Sequence, residues 1–415
     1  MISYDEALAA TLRESNPLGA EDCKLADACG RFLARPFYAL QPMPRFTNSA
    51  MDGFGITSED AARSVRRVPL RLRLMGEARA GGPPGPAIVP GQAARVLTGA
   101  AIPPGVGAVV VREECLCEDG EVEVRHRVRA GDNIRVRGEE YERGALLLPK
   151  GRLLGPAEIA VIASQGYGSV GTGRLPRVAV VSTGDELVPA GRALRGGSVY
   201  DSNQPGLCAA LAALGLHARS LRLADRLGQA RRKLSQLLET SDVLLIAGGL
   251  ASGEYDVAKQ ALEDVGVSRR FWQVAMKPGK PTYLGVYSPP KADGPGAPVR
   301  CLVFGLPGNP VAVLVVFQLL VRPALLRLMG GVDERTPVHA KLTRGLQNKA
   351  GRLAWLRAKL LLRDSGYMAQ PVRLQGSHML LGMAGAGCLL RVEAGASNLK
   401  RGDPVAAYPV RWGLP

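Results

Sequence analysis

Polar, glycine-rich segments follow three apolar runs in the middle of the chain. The pairs are 178–181 with STGDE (182–186), 243–247 with GGLASGEYD (248–256), and 302–304 with GLPGNP (305–310). If the runs are neighbouring parallel strands, their carboxyl ends meet at the edge of the sheet where ligands bind. Glycine lets backbone N–H groups approach a phosphate, and the start of the next helix adds partial positive charge. The spacing predicts a phosphate-binding rim.

Carboxylates lie within these same loops. Asp185, Glu186 and Asp256 carry hard oxygen ligands that suit Mg²⁺. A solvated turn explains an acidic pair equally well, so both interpretations stay open. Neither GxGxxG after a strand nor GxxxxGK[ST] occurs, which excludes a Rossmann fingerprint and a Walker A loop.

A stiff cationic segment, KPGKP (277–281), lies between the second and third runs. Lys277 and Lys280 are three residues apart and are flanked by two prolines. Two ammonium groups held in this way suit a tetrahedral oxyanion or a phosphate. The alternative is a pair of ordinary surface charges.

Two further strings lie nearer the N-terminus, NSAMDG (48–53) and LTGA (97–100). They place Asp52 and Thr98 among small residues at predicted strand ends. No histidine accompanies them, so a Ser-His-Asp arrangement has no support. The chain's four histidines lack metal-binding spacing, and we expect His378 to pack in the core or in a turn.

The elements that carry the three loops alternate between strand and helix over about 174–328. Helices are predicted at 204–214, with Ser202 or Asn203 as N-cap, and at 257–265 and 311–320. Such alternation is typical of a parallel sheet covered by helices on both faces.

The flanking regions read differently. A helix is predicted over 3–14, with Ser3 as N-cap and Glu6 completing a capping box. Residues 42–138 predict a β module with strands at 68–74, 108–112 and 121–128. A helix at 156–164 is followed by a glycine-rich linker at 166–173, and a second β module begins near 330.

Composition limits the classes of function. The chain has 415 residues, 46% hydrophobic residues and a net charge of +16, so it can bury large cores. The positive charge favours an anionic partner such as a nucleic acid, a membrane surface or a small polyanion, although an arginine-rich composition explains it equally well. The densest basic stretch, Arg63–Arg73, alternates with apolar residues as a strand with one wet face does. Aromatic residues make up only 5%, which disfavours stacking of single-stranded nucleic acid. Seven cysteines without a CxxC pair disfavour a disulfide framework or a zinc site.

Targeting signals are not evident. The N-terminus carries Asp5 and Glu6 without a basic segment before an apolar run. The most apolar stretch, Val311–Val321, contains Gln318 and is too short to span a bilayer. We therefore expect a cytoplasmic protein without membrane contact.

Taken together, the strings resemble the molybdopterin molybdenumtransferases of the MoeA type, whose animal counterpart is the E domain of gephyrin. The resemblance runs from about residue 3 to about 410. The strings that carry it are PMPRFTNSAMDGFGI, RVLTGAAIPPGVGAVVV, NIRVRGEEYERG, PRVAVVSTGDELV, YDSNQPGL, GGLASGEYD, VAMKPGKP, FGLPGNPVAV and QGSHML.

The resemblance implies a multidomain α/β fold in four parts. A discontinuous N-terminal domain would comprise 1–41 and 139–170, with an inserted β domain at 42–138. A three-layer α/β molybdopterin-binding domain would cover 171–329, and a C-terminal β-barrel would cover 330–415.

The implied reaction is the Mg²⁺-dependent insertion of molybdate into adenylylated molybdopterin, which releases AMP. The resemblance also implies a homodimer with its active site at the subunit interface. A molybdopterin adenylyltransferase is the implied partner that supplies the adenylylated substrate. Every one of these substrates is an anion, so a basic cleft is expected.

Site residues follow from motif matches. The resemblance implies catalytic roles for Asp52, Thr98, Glu186, Asp225 and Asp256, with Glu186 and Asp256 holding Mg²⁺. Substrate-binding positions would be Ser182, Thr183, Gly184, Asp185, Gly248, Gly249, Ser252, Gly253, Pro307, Gly308, Asn309 and Pro310. Molybdate would be held by Lys277, Lys280, Pro281, Arg357 and Ser377.

Three positions depart from the family pattern. The string GGLASGEYD replaces GGVSxGDYD, Glu140 stands where Asp is usual, and Ala312 stands where Ser is common.

Two other functions stay open. The first is an adenylyltransferase, disfavoured because the chain has flanking β modules and lacks a GGTG loop. The second is a gephyrin-like scaffold or pterin-binding regulator. A scaffold need not keep the acidic and cationic residues of the implied site, whereas this chain has all five: Asp52, Glu186, Asp256, Lys277 and Lys280.

Overall fold

The fold is taken from a computed structural model. It describes residues 1–64, 68–224, 226–249, 257–288, 301–348, 351–396 and 398–414. The chain forms two compact units. The first comprises 1–35, 150–160 and 168–415, and the second comprises 36–149 and 161–167. The boundaries of the four predicted domains stay a prediction.

The strands and helices are as follows. The strands are β1 (Ala20–Lys24), β2 (Phe37–Tyr38), β3 (Asn48–Ser49), β4 (Gly53–Ile56), β5 (Leu70–Ala78), β6 (Gln92–Val96), β7 (Ala108–Val111), β8 (Cys115–Glu118), β9 (Glu121–Val124), β10 (Ile134–Arg135), β11 (Leu146–Leu148), β12 (Ser169–Gly173), β13 (Val178–Thr183), β14 (Leu187–Val188), β15 (Val199–Tyr200), β16 (Ala218–Leu223), β17 (Val243–Ala247), β18 (Ser268–Trp272), β19 (Met276–Lys277), β20 (Tyr283–Tyr287), β21 (Cys301–Leu306), β22 (Val338–Leu342), β23 (Leu346–Gln347), β24 (Leu353–Arg363), β25 (Gly366–Pro371), β26 (Cys388–Val392), β27 (Asn398–Leu399) and β28 (Pro404–Pro409). The α-helices are α1 (Tyr4–Glu14), α2 (Ser58–Arg63), α3 (Pro156–Ser164), α4 (Asn203–Ala212), α5 (Leu227–Thr240), α6 (Val257–Asp264), α7 (Pro310–Val316), α8 (Arg322–Leu328) and α9 (Leu380–Ala384).

The first unit is built on a six-stranded sheet in the order β16-β13-β17-β21-β20-β18. The first four strands are parallel, and β20 and β18 run antiparallel to their neighbours. Strand β17 is buried on both faces: Leu245 packs with α4 and α7, and Leu244 packs with α5 and α6. The predicted three-layer α/β architecture with three adjacent parallel strands is confirmed.

The start of α4 differs from the prediction. Ser202 precedes the helix but makes no side-chain cap. The Asp201 carboxylate instead accepts hydrogen bonds from the backbone N–H groups of Asn203 (3.0 Å) and Gln204 (3.1 Å). A carboxylate accepts two N–H groups at once, which explains why it displaces the weaker hydroxyl. Helix α5 and strand β16 were not predicted.

The apolar helix after β21 is longer than predicted. It continues from α7 through a π-helical turn (Phe317–Val321) into α8, and Pro310–Leu328 forms one helix of 19 residues. A π-helical turn changes the hydrogen-bond spacing just before Pro323, where proline lacks an N–H. The helix is long and apolar enough to cross a membrane, but 89% of its most apolar 18-residue stretch is buried inside the protein. Gln318 donates to the Arg411 carbonyl (3.0 Å), so its amide nitrogen is satisfied within the core.

The C-terminal strands of the first unit close into a five-stranded barrel. The order is β24-β25-β22-β28-β26, and β26 pairs back with β24. Small and branched side chains fill the interior, among them Ala340, Leu342 and Leu390. The predicted C-terminal barrel is confirmed.

The start of the chain and the glycine-rich segment 166–173 both belong to regular structure. Ser3 and Glu6 form the predicted capping box of α1. The prediction of a linker at 166–173 was wrong, since β12 pairs along its length with β1. Gly173 lies so close to the Met329 carbonyl that a side chain there would overlap it, so the glycine serves close packing and does not mark a break.

The second unit contains the predicted β module, with a six-stranded sheet in the order β7-β4-β6-β5-β9-β8. In β5 the exposed Arg71 and Arg73 flank Leu72, which is buried in the core, as a strand with one wet face requires. The basic stretch begins in a helix, however, because Arg63 is the last residue of α2.

Candidate functional site

A cavity of about 790 Å³ opens in the first unit where several predicted segments meet. The cavity is lined by Met276, Lys277, Pro278, Gly279, Lys280, Pro281, Pro307, Gly308, Asn309, Ala312, Arg352, Trp355, Leu356, Gln375, Gly376, Ser377 and His378. Segments KPGKP, LPGNP and QGSH therefore lie around one space, although they are far apart in sequence.

The KPGKP wall is held by strand pairing. Strand β19 pairs in parallel with β24, so Lys277 lies opposite Ala354. The loop then turns at Gly279, whose φ is +111°, and a side chain there would lie 2.7 Å from Met276 and 2.8 Å from Val316. Thr282 Oγ1 donates to the Gly279 carbonyl at 2.6 Å. This rigid turn leaves both lysine side chains exposed at the cavity.

The opposite wall joins the LPGNP and QGSH loops. Asn309 Nδ2 donates to Ser377 Oγ at 2.9 Å, and the Val311 N–H donates to the Ser377 carbonyl at 3.1 Å. The loop that carries Ser377 is thereby docked on the start of α7.

Arg357 does not line the cavity but lies fully buried beneath the Ser377 loop. Its Nη2 donates to the carbonyls of Leu374 (2.6 Å) and Gly376 (3.2 Å), while Nε and Nη1 have no partner among the described residues. Burial lowers the pKa of the Arg357 guanidinium. The guanidinium supports the loop from below and keeps two donors unused.

Among the lining residues that sequence reasoning did not name as site residues are four with polar or aromatic side chains: Arg352, Trp355, Gln375 and His378. Arg352 directly precedes β24, so its position beside KPGKP follows from a strand pairing that no local pattern reveals. His378 was expected either in the core or in a turn, and it lies in an exposed turn. Gln375 Nε2 donates to the Arg357 carbonyl at 2.8 Å and helps to fix the loop.

The charges around the cavity have one sign. Lys277, Lys280 and Arg352 line it, and none of the described lining residues is acidic. None of the three cations forms an ion pair with another residue in the described parts of the chain. Cations without local counter-charges attract an anion into a cleft.

The rim at the ends of β13 and β17 contains buried polar groups. Ser182 and Thr183 are buried, and neither hydroxyl has a partner within the described ranges. Gly249 has φ +65°, and a side chain there would overlap Thr183 Oγ1. Asn203 Nδ2 donates to the Gly308 carbonyl at 2.8 Å. Its buried Oδ1 has no hydrogen-bond partner among the described residues. Buried polar atoms are normally hydrogen-bonded, so unpaired ones at a strand end indicate a place for a ligand.

The carboxylates of this rim are only partly described. Asp185 and Glu186 lie in the loop after β13, and the Glu186 carboxylate folds back over Gly184. These residues, together with Gly248 and Pro310, are not part of the cavity lining. Asp225, Ser252, Gly253 and Asp256 lie outside the described residues. Within the described ranges no three His, Cys, Asp or Glu side chains cluster as a metal site would.

In the second unit, Asp52 and Thr98 form a compact pair. The backbone N–H and the hydroxyl of Thr98 both donate to Asp52 Oδ1 at 2.7 Å. These hydrogen bonds hold the pKa of the Asp52 carboxyl below its usual value, so it stays ionised. Both residues are exposed, and Oδ2 remains available to a ligand.

Comparison with known proteins gives a consistent picture along the chain. Residues 2–166 match the MoeA N-terminal region (domain I and II), 179–327 match a probable molybdopterin binding domain, and 339–410 match the MoeA C-terminal region (domain IV). A molybdopterin molybdenumtransferase from Haemophilus influenzae is 32% identical over 99% of this chain and 98% of its own. The chain belongs to the MoeA family. A relative of the same name from a Nostoc species is also 32% identical, over 93% of this chain and 88% of its own.

Solved structures of MoeA proteins share this architecture. A molybdopterin biosynthesis MoeA protein from Pyrococcus horikoshii superposes with a TM-score of 0.81 at 28% identity, over 99% of both chains. A second structure of a MoeA protein from that organism gives the same TM-score at 25% identity. The MoeA assignment therefore covers the cavity, the rim and the unit that carries Asp52.

Proposed function

We propose that this protein is a molybdopterin molybdenumtransferase that inserts molybdate into adenylylated molybdopterin and releases AMP. One observation carries the proposal: in a chain of the MoeA family, three unpaired cations and a serine hydroxyl surround a cavity without described carboxylates. Lys277, Lys280 and Ser377 hold the molybdate dianion by charge-assisted hydrogen bonds. Arg357 supports the loop that presents Ser377.

The pterin occupies the rim next to the cavity. The unpaired hydroxyls of Ser182 and Thr183 and the free Oδ1 of Asn203 support this placement, since each lacks a partner in the described chain. The closely packed glycines let backbone N–H groups approach the phosphates. The Gly308 carbonyl ties this rim to the LPGNP wall through Asn203.

Magnesium fits the donor set of the rim. Asp185 and Glu186 offer carboxylate oxygens, the ligands that Mg²⁺ prefers. When bound, the ion neutralises the phosphate charge of the pterin nucleotide. The chain's own contribution is to hold the nucleotide against these carboxylates.

The working unit is a cytoplasmic homodimer. Three apolar side chains of the second unit, Tyr38, Leu40 and Leu146, are each more than half exposed. Tyr38 and Leu146 are direct partners across β2 and β11, so they form a continuous apolar surface. We propose that a second copy covers this surface, that Asp52 and Thr98 act on the substrate held by the partner, and that a molybdopterin adenylyltransferase delivers that substrate.

Reconstitution of an apo-molybdoenzyme tests the proposal. Purified protein with adenylylated molybdopterin, Mg²⁺ and molybdate should restore activity to the apoenzyme, and Asp52→Ala should abolish this while leaving the fold intact. A gephyrin-like scaffold or pterin-binding regulator would bind pterin and restore nothing.

A further inference from the structure

Asn309 stands at the N-cap position of α7, but its side chain does not cap the helix. Its backbone has the extended conformation of an N-cap (φ −67°, ψ 126°), and asparagine is strongly favoured there because its oxygen accepts a free N–H of the first turn. No such bond forms. Instead, Nδ2 donates to Ser377 Oγ at 2.9 Å on the cavity wall. The Asn309 side chain therefore makes a hydrogen bond at the cavity wall and does not make the capping bond that would stabilise the helix.

The Ser377 loop does not need this bond as an anchor. The Val311 N–H already donates to the Ser377 carbonyl at 3.1 Å, which satisfies one free N–H at the helix start. From the other side, Arg357 Nη2 holds the Leu374 carbonyl, and Gln375 Nε2 holds the Arg357 carbonyl. The bond from Asn309 is therefore directed at the hydroxyl itself.

The direction of the bond decides what the hydroxyl can do. A serine hydroxyl has one hydrogen and two lone pairs. Because Ser377 Oγ accepts from Asn309, its hydrogen remains for another acceptor. Lys277 and Lys280 line the same cavity, so an anion attracted there is the natural acceptor.

We propose that Asn309 is a positioning residue that turns the Ser377 hydroxyl into an obligatory donor to the bound oxyanion. The proposal rests on the proposed function, because it assumes that the cavity holds molybdate. It also links the two substrates, since Asn309 lies in the same loop whose Gly308 carbonyl is tied to Asn203 at the pterin rim.

A double-mutant cycle with molybdate alone tests the proposal. Calorimetric titration of the full-length protein gives the Kd of the wild type, Asn309→Ala, Ser377→Ala and the double variant. A neutral hydrogen bond contributes about 0.5–1.5 kcal/mol, so Asn309→Ala should weaken binding by about 2- to 12-fold. In the Ser377→Ala background the same substitution should change the Kd by less than about twofold.

Asn309→Asp tests the direction of the bond. A carboxylate accepts from Ser377 and so removes the hydrogen that the oxyanion needs. Its negative charge also repels molybdate, and that part persists in the Ser377→Ala background. The loss caused by Asn309→Asp should therefore be larger with Ser377 present than in the Ser377→Ala background.

Three outcomes would overturn the proposal. Equal losses in both backgrounds for Asn309→Ala would assign Asn309 a purely structural role. Equal losses in both backgrounds for Asn309→Asp would mean that the bond runs the other way, since only the repulsion of molybdate by the new charge would then remain. Absence of molybdate binding by the wild type would remove the proposed function itself, which distinguishes that failure from the other two. Circular dichroism melts of all variants verify that each is folded.

Discussion

At the residue scale, the proposed molybdate site consists of cations that lack carboxylate partners among the described residues. Many arginines of the described surface are paired, such as Arg71 with Glu123 and Arg231 with Asp264. Within the described ranges, Lys277, Lys280 and Arg352 form no ion pair. Leaving three like charges together costs stability unless an anion joins them, so their arrangement is better explained by binding than by folding.

Loss of one lysine should weaken oxyanion binding selectively. A hydrogen bond to a charged group contributes about 1.5–3 kcal/mol, so Lys277→Ala should raise the Kd for molybdate by about 10- to 150-fold. Lys359→Ala is the matched control, because Lys359 is exposed on β24 and does not line the cavity. Calorimetric titration gives both values, and equal affinities for the two variants would refute the assigned role of Lys277.

At the element scale, the strands of the α/β sheet are fixed at one end and carry the site at the other. Asp242 lies just before β17 and accepts hydrogen bonds from the side chains of Arg174 (2.9 and 3.0 Å) and Arg177 (3.1 Å), which precede β13. Burial alone would raise the pKa of Asp242, but the hydrogen bonds outweigh it and lower the pKa to about 2. The starts of two adjacent strands are thus held in register.

Asp242→Asn should destabilise the protein in a pH-dependent way. Because the pKa is lowered in the folded state, the stabilisation is fully present above about pH 4 and disappears as pH falls toward 2. At pH 7 we expect a loss of about 2 kcal/mol in the free energy of unfolding, with part of the pair's strength screened because both arginines are partly exposed. Urea unfolding at pH 7, 4 and 2 measures the loss. A constant difference at every pH would contradict the account, and molybdate affinity should not change.

The rim should be sensitive to a single methyl group. Gly249→Ala meets both a positive φ and an overlap with Thr183 Oγ1, and we expect at least about tenfold weaker pterin binding with a folded protein. Gly215→Ala is the control: Gly215 has φ +74°, but no atom lies within 4 Å of the added methyl group. Fluorescence titration with molybdopterin compares them, and equal binding would show that the rim does not hold the pterin.

Local sequence patterns predicted individual strands and helices better than they predicted which distant segments contact one another. The three strand ends were identifiable because buried parallel strands are continuously apolar and are followed by glycine-containing loops. Strand β12 was missed because its glycines were interpreted as a break, whereas Gly173 permits a close approach to Met329. The burial of Arg357 and the place of Arg352 were not predictable, because each depends on contacts between segments that lie apart in the sequence.

At the scale of the whole molecule, charge and exposed apolar surface remain to be explained. The net charge of +16 is mostly distributed over arginines, while the proposed chemistry needs only a few cations at one cavity. Binding to DNA that weakens steeply with salt and shows no sequence preference would therefore be incidental. The exposed side chains of Tyr38, Leu40 and Leu146 are not explained by composition. Adjacent large apolar groups at a surface indicate an interface.

The proposed dimer should depend on this apolar surface. Leu146→Asp places a charge among apolar side chains and should convert the dimer to a monomer, because an unpaired buried charge is strongly unfavourable. Val332→Asp is the control, since Val332 is 67% exposed and belongs to the first unit. Sedimentation equilibrium measures both masses. A dimeric Leu146→Asp variant, or a monomeric wild type, would contradict the proposed assembly.

The most direct test of the central claim is the dependence of AMP release on molybdate. Purified protein is given adenylylated molybdopterin and Mg²⁺, and AMP is measured with and without molybdate for the wild type and for Lys277→Ala. The account predicts that molybdate strongly stimulates AMP release by the wild type, and that Lys277→Ala needs at least about tenfold more molybdate for the same stimulation, since a charge-assisted hydrogen bond is lost. AMP release that is indifferent to molybdate would contradict it.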